Sequence, residues 1–187
     1  MAFQSSIPTQ QAAGIVGELA FEGPLRAQPA VLASTDAANN VIGRAFRTTK
    51  GQTGSAAAGS AGAADPAPMT VSADTAYGAQ KPFAGILSNP KVYAQFATPF
   101  AASVALPNGT VVELVTEGDL WVLYPAACKV GDIVYFLDAD GTLVTAAPGA
   151  AIPNNSHGPI GTVERFDLTG AGIGVLHLEP VVRSLLP

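Results

Sequence analysis

The side chains that could carry out catalysis are few and lie far apart in the sequence. The chain has two histidines. His157 lies in a loop rich in Pro, Asn and Gly, and His177 lies inside an apolar run, where a histidine is far more often packed than catalytic. No nucleophile elbow, HExxH pair or Walker A loop is present. We therefore predict that the protein is not an enzyme and has no catalytic residues.

Two short motifs resemble ligand-binding loops, but their spacing is wrong for binding. Residues 138–141, Asp-Ala-Asp-Gly, resemble the start of a calcium loop. An EF-hand needs Gly at its sixth position and Glu at its twelfth, and this chain has Leu143 and Gly149 there. Residues 170–174 resemble a dinucleotide loop, but that motif must open a helix and this one leads into a strand. We read the first as a hairpin connection and the second as a turn, and expect no metal and no cofactor.

The charge of the chain is low, and the negative charge is concentrated in one segment. Charged residues make up 12% of the 187 residues, against about 25% in an average soluble domain. Residues 113–140 hold six carboxylates and one lysine, a balance equal to the net charge of −5. Such a neutral surface favours a protein covered by protein partners; the alternative is a secreted or Ala/Gly-rich protein with a bland surface. The negative charge argues against nucleic-acid binding.

Targeting signals and disulfides are not indicated. The start of the chain lacks the basic and apolar regions of a secretory signal, and no apolar run reaches the roughly 18 residues of a membrane helix. We expect a soluble protein made in the cytoplasm that does not contact membranes. Cys128 is the single cysteine, so it cannot form an internal disulfide, and we expect it to be a small buried side chain.

Short β-signals separated by turn residues run along most of the sequence. They predict an all-β fold, either a jelly-roll-like sandwich or a small barrel. We expect a turn at residues 117–119, Glu-Gly-Asp, between two strands. No segment offers a convincing amphipathic helix. The predicted strands cover residues 31–33, 41–46, 82–87, 91–96, 110–115, 120–124, 132–137, 142–145, 160–166 and 173–178.

Two segments differ from this β pattern. Residues 1–17 contain no charged side chain, but carry the apolar Phe3, Ile7, Ile15 and Val16. We predict an extended arm that lies on a protein surface through these four side chains; the alternative is a frayed terminus. Residues 51–68 are rich in Gly and Ala and have no large side chain to bury. We read them as a flexible loop within one β-domain that spans residues 18–187, in preference to an interdomain linker.

Trp121 is the fifth predicted protein-binding residue. Strand alternation places Trp121 and Leu123 on one face and Leu120, Val122 and Tyr124 on the other. We expect the indole to be an anchor in the core or at an interface.

The sequence resembles the capsid cement (decoration) proteins of tailed bacteriophages, particularly the all-β cement proteins of podophages. The matching motifs are Gly118-Asp119-Leu120-Trp121-Val122, then residues 126–135, Ala-Ala-Cys-Lys-Val-Gly-Asp-Ile-Val-Tyr, and then Asp140-Gly141. Residues 3–5, Phe-Gln-Ser, and 10–18, Gln-Gln-Ala-Ala-Gly-Ile-Val-Gly-Glu, resemble the opening arm of that family. The Gly/Ala/Pro-rich stretches at 51–68 and 147–159 look longer than the family pattern.

This resemblance implies a structural protein on the outer capsid surface of the virion that bridges major capsid subunits. Its partners would be the major capsid protein and further copies of itself, as a dimer or trimer. Two other functions remain open from the residues alone. One is a tail, fibre or surface adhesion module that binds a carbohydrate or receptor, and the other is a small β-barrel enzyme such as a nucleotide hydrolase.

Overall fold

Nine β-strands form the described part of the protein. The computed structural model describes residues 14–21, 23–49, 69–78, 81–89 and 105–179. Within these ranges there is one 3₁₀ turn, Ala37–Asn39, and no α-helix, and none of the helical structure could cross a membrane. The strands are β1 Arg26–Leu32, β2 Ala45–Thr48, β3 Thr70–Ser72, β4 Phe83–Leu87, β5 Val111–Tyr124, β6 Ile133–Leu137, β7 Leu143–Ala146, β8 Ser156–Arg165 and β9 Gly172–Leu178.

The first five strands close into a small barrel. The order is β1-β3-β2-β4-β5, and β1 also pairs with β5, which completes the ring. Its interior is a separate apolar cluster made of Ala30, Leu32, Phe46, Val71, Ala73, Ala84, Leu87, Leu106, Val112 and Leu114. The all-β prediction is confirmed; this strand order does not confirm the jelly-roll arrangement.

The remaining strands form a second sheet that shares β5 with the barrel. Its order is β5-β9-β8-β6-β7, with every pairing antiparallel. The second apolar cluster lies beneath it and includes Cys128, which is buried as expected. Burial raises the pKa of the Cys128 thiol, so the thiol stays protonated and unreactive.

The predicted turn at residues 117–119 is wrong, because these residues lie inside β5. The first half of β5 pairs with β1 and β4, and the second half pairs with β9. Gly118 has φ +128° at this changeover, a backbone conformation that costs glycine little and other residues much. The glycine that looks like a turn signal instead lets one long strand pass from the barrel into the second sheet.

Most of the other predicted strands match the structure to within a few residues. The segments 82–87, 132–137, 142–145, 160–166 and 173–178 correspond to β4, β6, β7, β8 and β9. Predicted strand 41–46 overlaps β2 only at its end, and β3 was not predicted. His157 lies within β8, not in a loop. Predicted strand 91–96, the loop 51–68, and Phe3 and Ile7 of the arm lie outside the described residues.

An ion pair with a buried arginine joins the barrel to the second sheet. Arg47 of β2 is fully buried, and its guanidinium donates to the Asp138 carboxylate at 2.6 Å and to the carbonyls of Asp138 and Ala73. Burial lowers the pKa of Arg47, and the nearby carboxylates partly oppose this. Asp138 opens the predicted 138–141 hairpin, which is confirmed with Gly141 at φ +71°.

Candidate protein-binding surface

The segment before β1 lies along the second half of β5. The Gly17 amide donates to the Trp121 carbonyl at 2.7 Å, and the Trp121 amide donates to the Glu18 carbonyl at 2.9 Å. The Ala20 amide donates to the Asp119 carbonyl at 2.8 Å. These bonds occupy the edge of β5 opposite β9. We call residues 14–20 the docked segment.

Small residues allow the docked segment to approach the body closely. A Cβ on Gly14 would overlap the indole of Trp121, and a Cβ on Gly43 would overlap the Val16 side chain. Val16 therefore lies against Gly43 of its own chain. The Gly17 carbonyl accepts a bond from the Asn89 amide at 2.9 Å. The segment is thus held by main-chain bonds on both sides and by close packing.

Trp121 lies at the centre of this arrangement. Leu120, Val122 and Tyr124 are buried in the core, whereas Trp121 and Leu123 point to the other face, as the alternation predicted. The indole is nevertheless only 9% exposed. It is covered by Gly14 on the docked segment and by the Phe166 ring, whose centroid lies 5.7 Å away in a stacked arrangement.

Exposed apolar side chains surround the indole. Ile15 is 56% exposed, Leu123 is 48% exposed and Phe166 is 46% exposed. Ile15 follows Gly14, Phe166 stacks on the indole, and Leu123 is two residues along the same face of β5. Contiguous exposed apolar side chains are typical of protein-binding surfaces. We call Trp121 together with Ile15, Leu123 and Phe166 the Trp121 face.

Charged groups border the Trp121 face on the same side of the sheet. His177 of β9 is paired with Asp119 of β5 at 2.7 Å between Nδ1 and Oδ1. The hydrogen bond to Asp119 raises the pKa of His177, and Glu164 and Glu179 act in the same direction. The Arg165 guanidinium lies 4.2 Å from the centre of the Phe21 ring, just beyond the docked segment.

Two further titratable groups, Asp74 and His157, contact neighbouring segments of the fold. The Asp74 carboxylate accepts bonds from the amides of Thr35 and Asp36, and these bonds lower its pKa despite partial burial. His157 is 2.7 Å from the second oxygen of Asp138, the carboxylate already paired with Arg47. No group of three or more His, Cys, Asp or Glu in the described ranges could hold a metal ion.

The structure brings together three of the five predicted protein-binding residues, namely Ile15, Val16 and Trp121. Their role in binding a partner stays a prediction, as does that of Phe3 and Ile7. Sequence reasoning missed Phe166, which is 45 residues from Trp121 in the chain. No local sequence pattern points to this residue. In the structure Phe166 has φ +73°, which is rare for an aromatic residue.

Comparisons with known proteins give one family and one fold. A family model described as "Structural cement protein (E217 gp24/Pam3 gp6)", of phages, matches residues 3–171. Among solved structures, a chain from "The capsid of Myoviridae Phage XM1" is similar with a TM-score of 0.57 and 15% identity. The match covers 95% of this chain and 97% of that chain. No curated protein matches.

Proposed function

This chain belongs to the phage structural cement protein family and has a structural, capsid-stabilising role, and we propose that it acts on the outer surface by bridging neighbouring major capsid subunits. The observation that carries this proposal is the Trp121 face. Its three exposed apolar side chains surround a nearly buried indole, an arrangement similar to the centre of a binding hot spot. It presents this surface without any charged residue at its centre.

The uncharged arm supplies the reach that bridging requires. Residues 1–13 precede the docked segment and contain no charged side chain. Fully extended, they span up to about 43 Å at about 3.3 Å per residue, so Phe3 and Ile7 can reach beyond the subunit that holds the Trp121 face. Ordering this segment costs about 1–2 kcal/mol per residue, which its apolar contacts must offset.

The same features support a purely structural protein rather than an enzyme. The Arg47–Asp138 pair and the His177–Asp119 pair each link neighbouring elements of the fold. A carbohydrate-binding adhesion module remains the second candidate, because the stacked aromatic pair Trp121 and Phe166 also has the polar pair His177 and Asp119 at its border. The exposed Ile15 and Leu123 on the same face favour a protein partner.

The proposal is tested by one charge placed on the Trp121 face. We expect Phe166→Asp to weaken the affinity for purified shells that lack this protein by about 30-fold or more, and so to lower occupancy, because a hot-spot residue contributes about 2 kcal/mol. Val111→Asp is the matched control, since Val111 is 64% exposed in the barrel, away from this face. We expect Val111→Asp to keep the melting temperature of the parent chain and Phe166→Asp to lower it slightly, because Phe166 covers one side of the indole but is itself 46% exposed. Equal occupancy of the two variants would contradict the proposal.

The contribution of the arm is tested separately. Deleting residues 2–13 leaves the docked segment and Trp121 in place, so we expect the β-domain to stay folded. Occupancy on shells should fall severely, because the second contact that bridges subunits is lost. The measurement pairs the melting temperature with quantitative gel analysis of sedimented shells. Parental occupancy of the deleted chain would show that the arm is a passive tail.

A further inference from the structure

A cleft lies between β7 and the end of β5, where the second sheet does not close into a ring. Among the described residues β7 pairs with β6 alone, so its outer edge has no strand partner. The residues that end and follow β5 lie across from this edge. The cleft between them has a volume of about 210 Å³, and its walls are Tyr124, Pro125, Ala126, Ala127, Val144, Thr145 and Pro153.

The walls of the cleft define the chemistry of what it can hold. None of the seven residues is charged, and most carry small or apolar side chains. The hydroxyl of Tyr124 is buried and has no hydrogen-bond partner among the described residues. A strand edge beside an apolar cleft suits an extended peptide, whose backbone adds to the edge while its side chains fill the cleft. A charged segment would lose its hydration there without a compensating partner.

The N-terminal segment of this protein has this chemistry. Residues 1–13 are uncharged, carry Phe3 and Ile7, and contain the helix-disfavouring Pro8. They end at Gly14, which lies against Trp121. Because Trp121 and Tyr124 point to opposite faces of β5, the segment starts on the face that is turned away from the Tyr124 side chain. It would have to pass around the sheet to enter its own cleft, whereas a neighbouring copy can present its cleft to the segment directly.

We propose that residues 1–13 of one copy dock in the β7 cleft of a neighbouring copy, with an apolar side chain in the cleft and the backbone along the outer edge of β7. The occupant is thus a second copy of this chain. The inference rests on the proposed function in one respect, the arm that reaches a neighbour. It adds that cement molecules are linked directly to one another, so that attachment at one position on the shell strengthens attachment at the next.

Disulfide trapping between two variants of the full chain tests the proposal. One variant carries Ser5→Cys, which keeps Phe3 and Ile7, and the other carries Ala126→Cys in the exposed wall of the cleft. Both also carry Cys128→Ala, so the introduced thiols are the only ones. The two variants are mixed, oxidised in solution and on shells, and resolved on non-reducing gels. Ala33→Cys replaces Ala126→Cys in the control, since Ala33 is also an exposed alanine but follows β1 in the barrel.

We expect the Ser5/Ala126 mixture to give at least about tenfold more mixed dimer than the Ser5/Ala33 mixture, because docking holds the two thiols at a high effective concentration. Adding Thr145→Arg to the Ala126→Cys chain should remove this excess by placing a charge in the cleft. Equal yields from the two mixtures would overturn the proposal. So would a chain with both Ser5→Cys and Ala126→Cys that closes within itself and gives no dimer.

The failure of this inference can be separated from the failure of the proposed function. Normal occupancy on shells without the mixed dimer would overturn the arm exchange and leave the capsid role intact. A strong mixed dimer with no binding to shells would support the exchange and contradict the capsid role of the Trp121 face.

Discussion

The barrel and the second sheet share β5 but differ in how their edges end. Every barrel strand has two strand neighbours, because β1 pairs with both β3 and β5. In the second sheet the docked segment covers one edge of β5, and β7 keeps an open edge among the described residues. A closed barrel offers no strand edge to a partner. The Trp121 face and the β7 cleft both lie on the second sheet. The sheet that does not close on itself is therefore the part suited to binding.

The largest expected effect comes from breaking the ion pair that joins the two regions. Asp138→Ala leaves the fully buried guanidinium of Arg47 without its carboxylate, and we expect a loss of about 3–5 kcal/mol in the free energy of unfolding, measured by urea denaturation. Arg44→Ala is the control, because the Arg44–Asp140 pair is partly exposed and should contribute about 1 kcal/mol or less. Similar losses in the two variants would mean that burial of the Arg47 guanidinium is unimportant.

The next effect tests whether the Trp121 face is part of the fold or only a binding surface. Trp121→Ala removes a side chain that is 9% exposed, and we expect a loss of about 3 kcal/mol together with reduced occupancy on shells. Leu123→Ala, two residues along the same face, should lower occupancy while costing about 1 kcal/mol or less, because Leu123 is half exposed. Unchanged melting temperature and occupancy in Trp121→Ala would show that the indole is neither a core nor an interface anchor.

A smaller effect is expected from disturbing the packing of the docked segment against the second sheet. Gly14→Ala places a methyl group in the space of the Trp121 ring, so we expect the segment to shift and the free energy of unfolding to fall by about 1–3 kcal/mol. The fluorescence of Trp121, the one tryptophan of the chain, should move to longer wavelength. Gly23→Ala is a matched control, because a Cβ there meets nothing within 4 Å. A red shift in both variants would contradict the observed packing.

Features set by neighbouring residues could be predicted from the sequence, whereas features set by contacts between distant segments could not. Alternation along residues 120–124 is local, and it placed Trp121 and Leu123 correctly on one face. Gly118 was misread because the same residue serves a turn or a bent strand, and pairing with distant strands decides between them. Phe166 meets Trp121 only through the pairing of β8 with β9 and of β9 with β5.

Long-range pairing also explains why Arg47 was overlooked. Its strand reads Ala-Phe-Arg-Thr, where alternation puts an arginine on the opposite face to Phe46, as on a solvated strand. All four residues are buried instead, because the 138–141 hairpin of the second sheet covers this side of β2. The sequence predicted the hairpin but carried no signal for where it would lie.

The smallest expected effect concerns pH at the border of the Trp121 face. The His177 pKa is raised above its ordinary value of 6.5 in the folded protein by Asp119, with Glu164 and Glu179 contributing. The contribution to stability is therefore fully present below about pH 6.5 and is lost as the pH rises through the folded pKa. His177 is partly exposed, so solvent limits the contribution to about 1 kcal/mol or less.

The expected result is a stability difference between the parent and His177→Gln that is larger at about pH 5.5 than at about pH 8. Asp119→Asn should remove most of this pH dependence, because the partner that raises the pKa is gone. Urea denaturation of the parent and both variants at the two pH values gives the comparison. A difference that grows with pH would have the wrong sign, and would mean that His177 is stabilised in its neutral form. Occupancy on shells at the two pH values then shows whether the pair acts on binding as well as on folding, since it borders the Trp121 face.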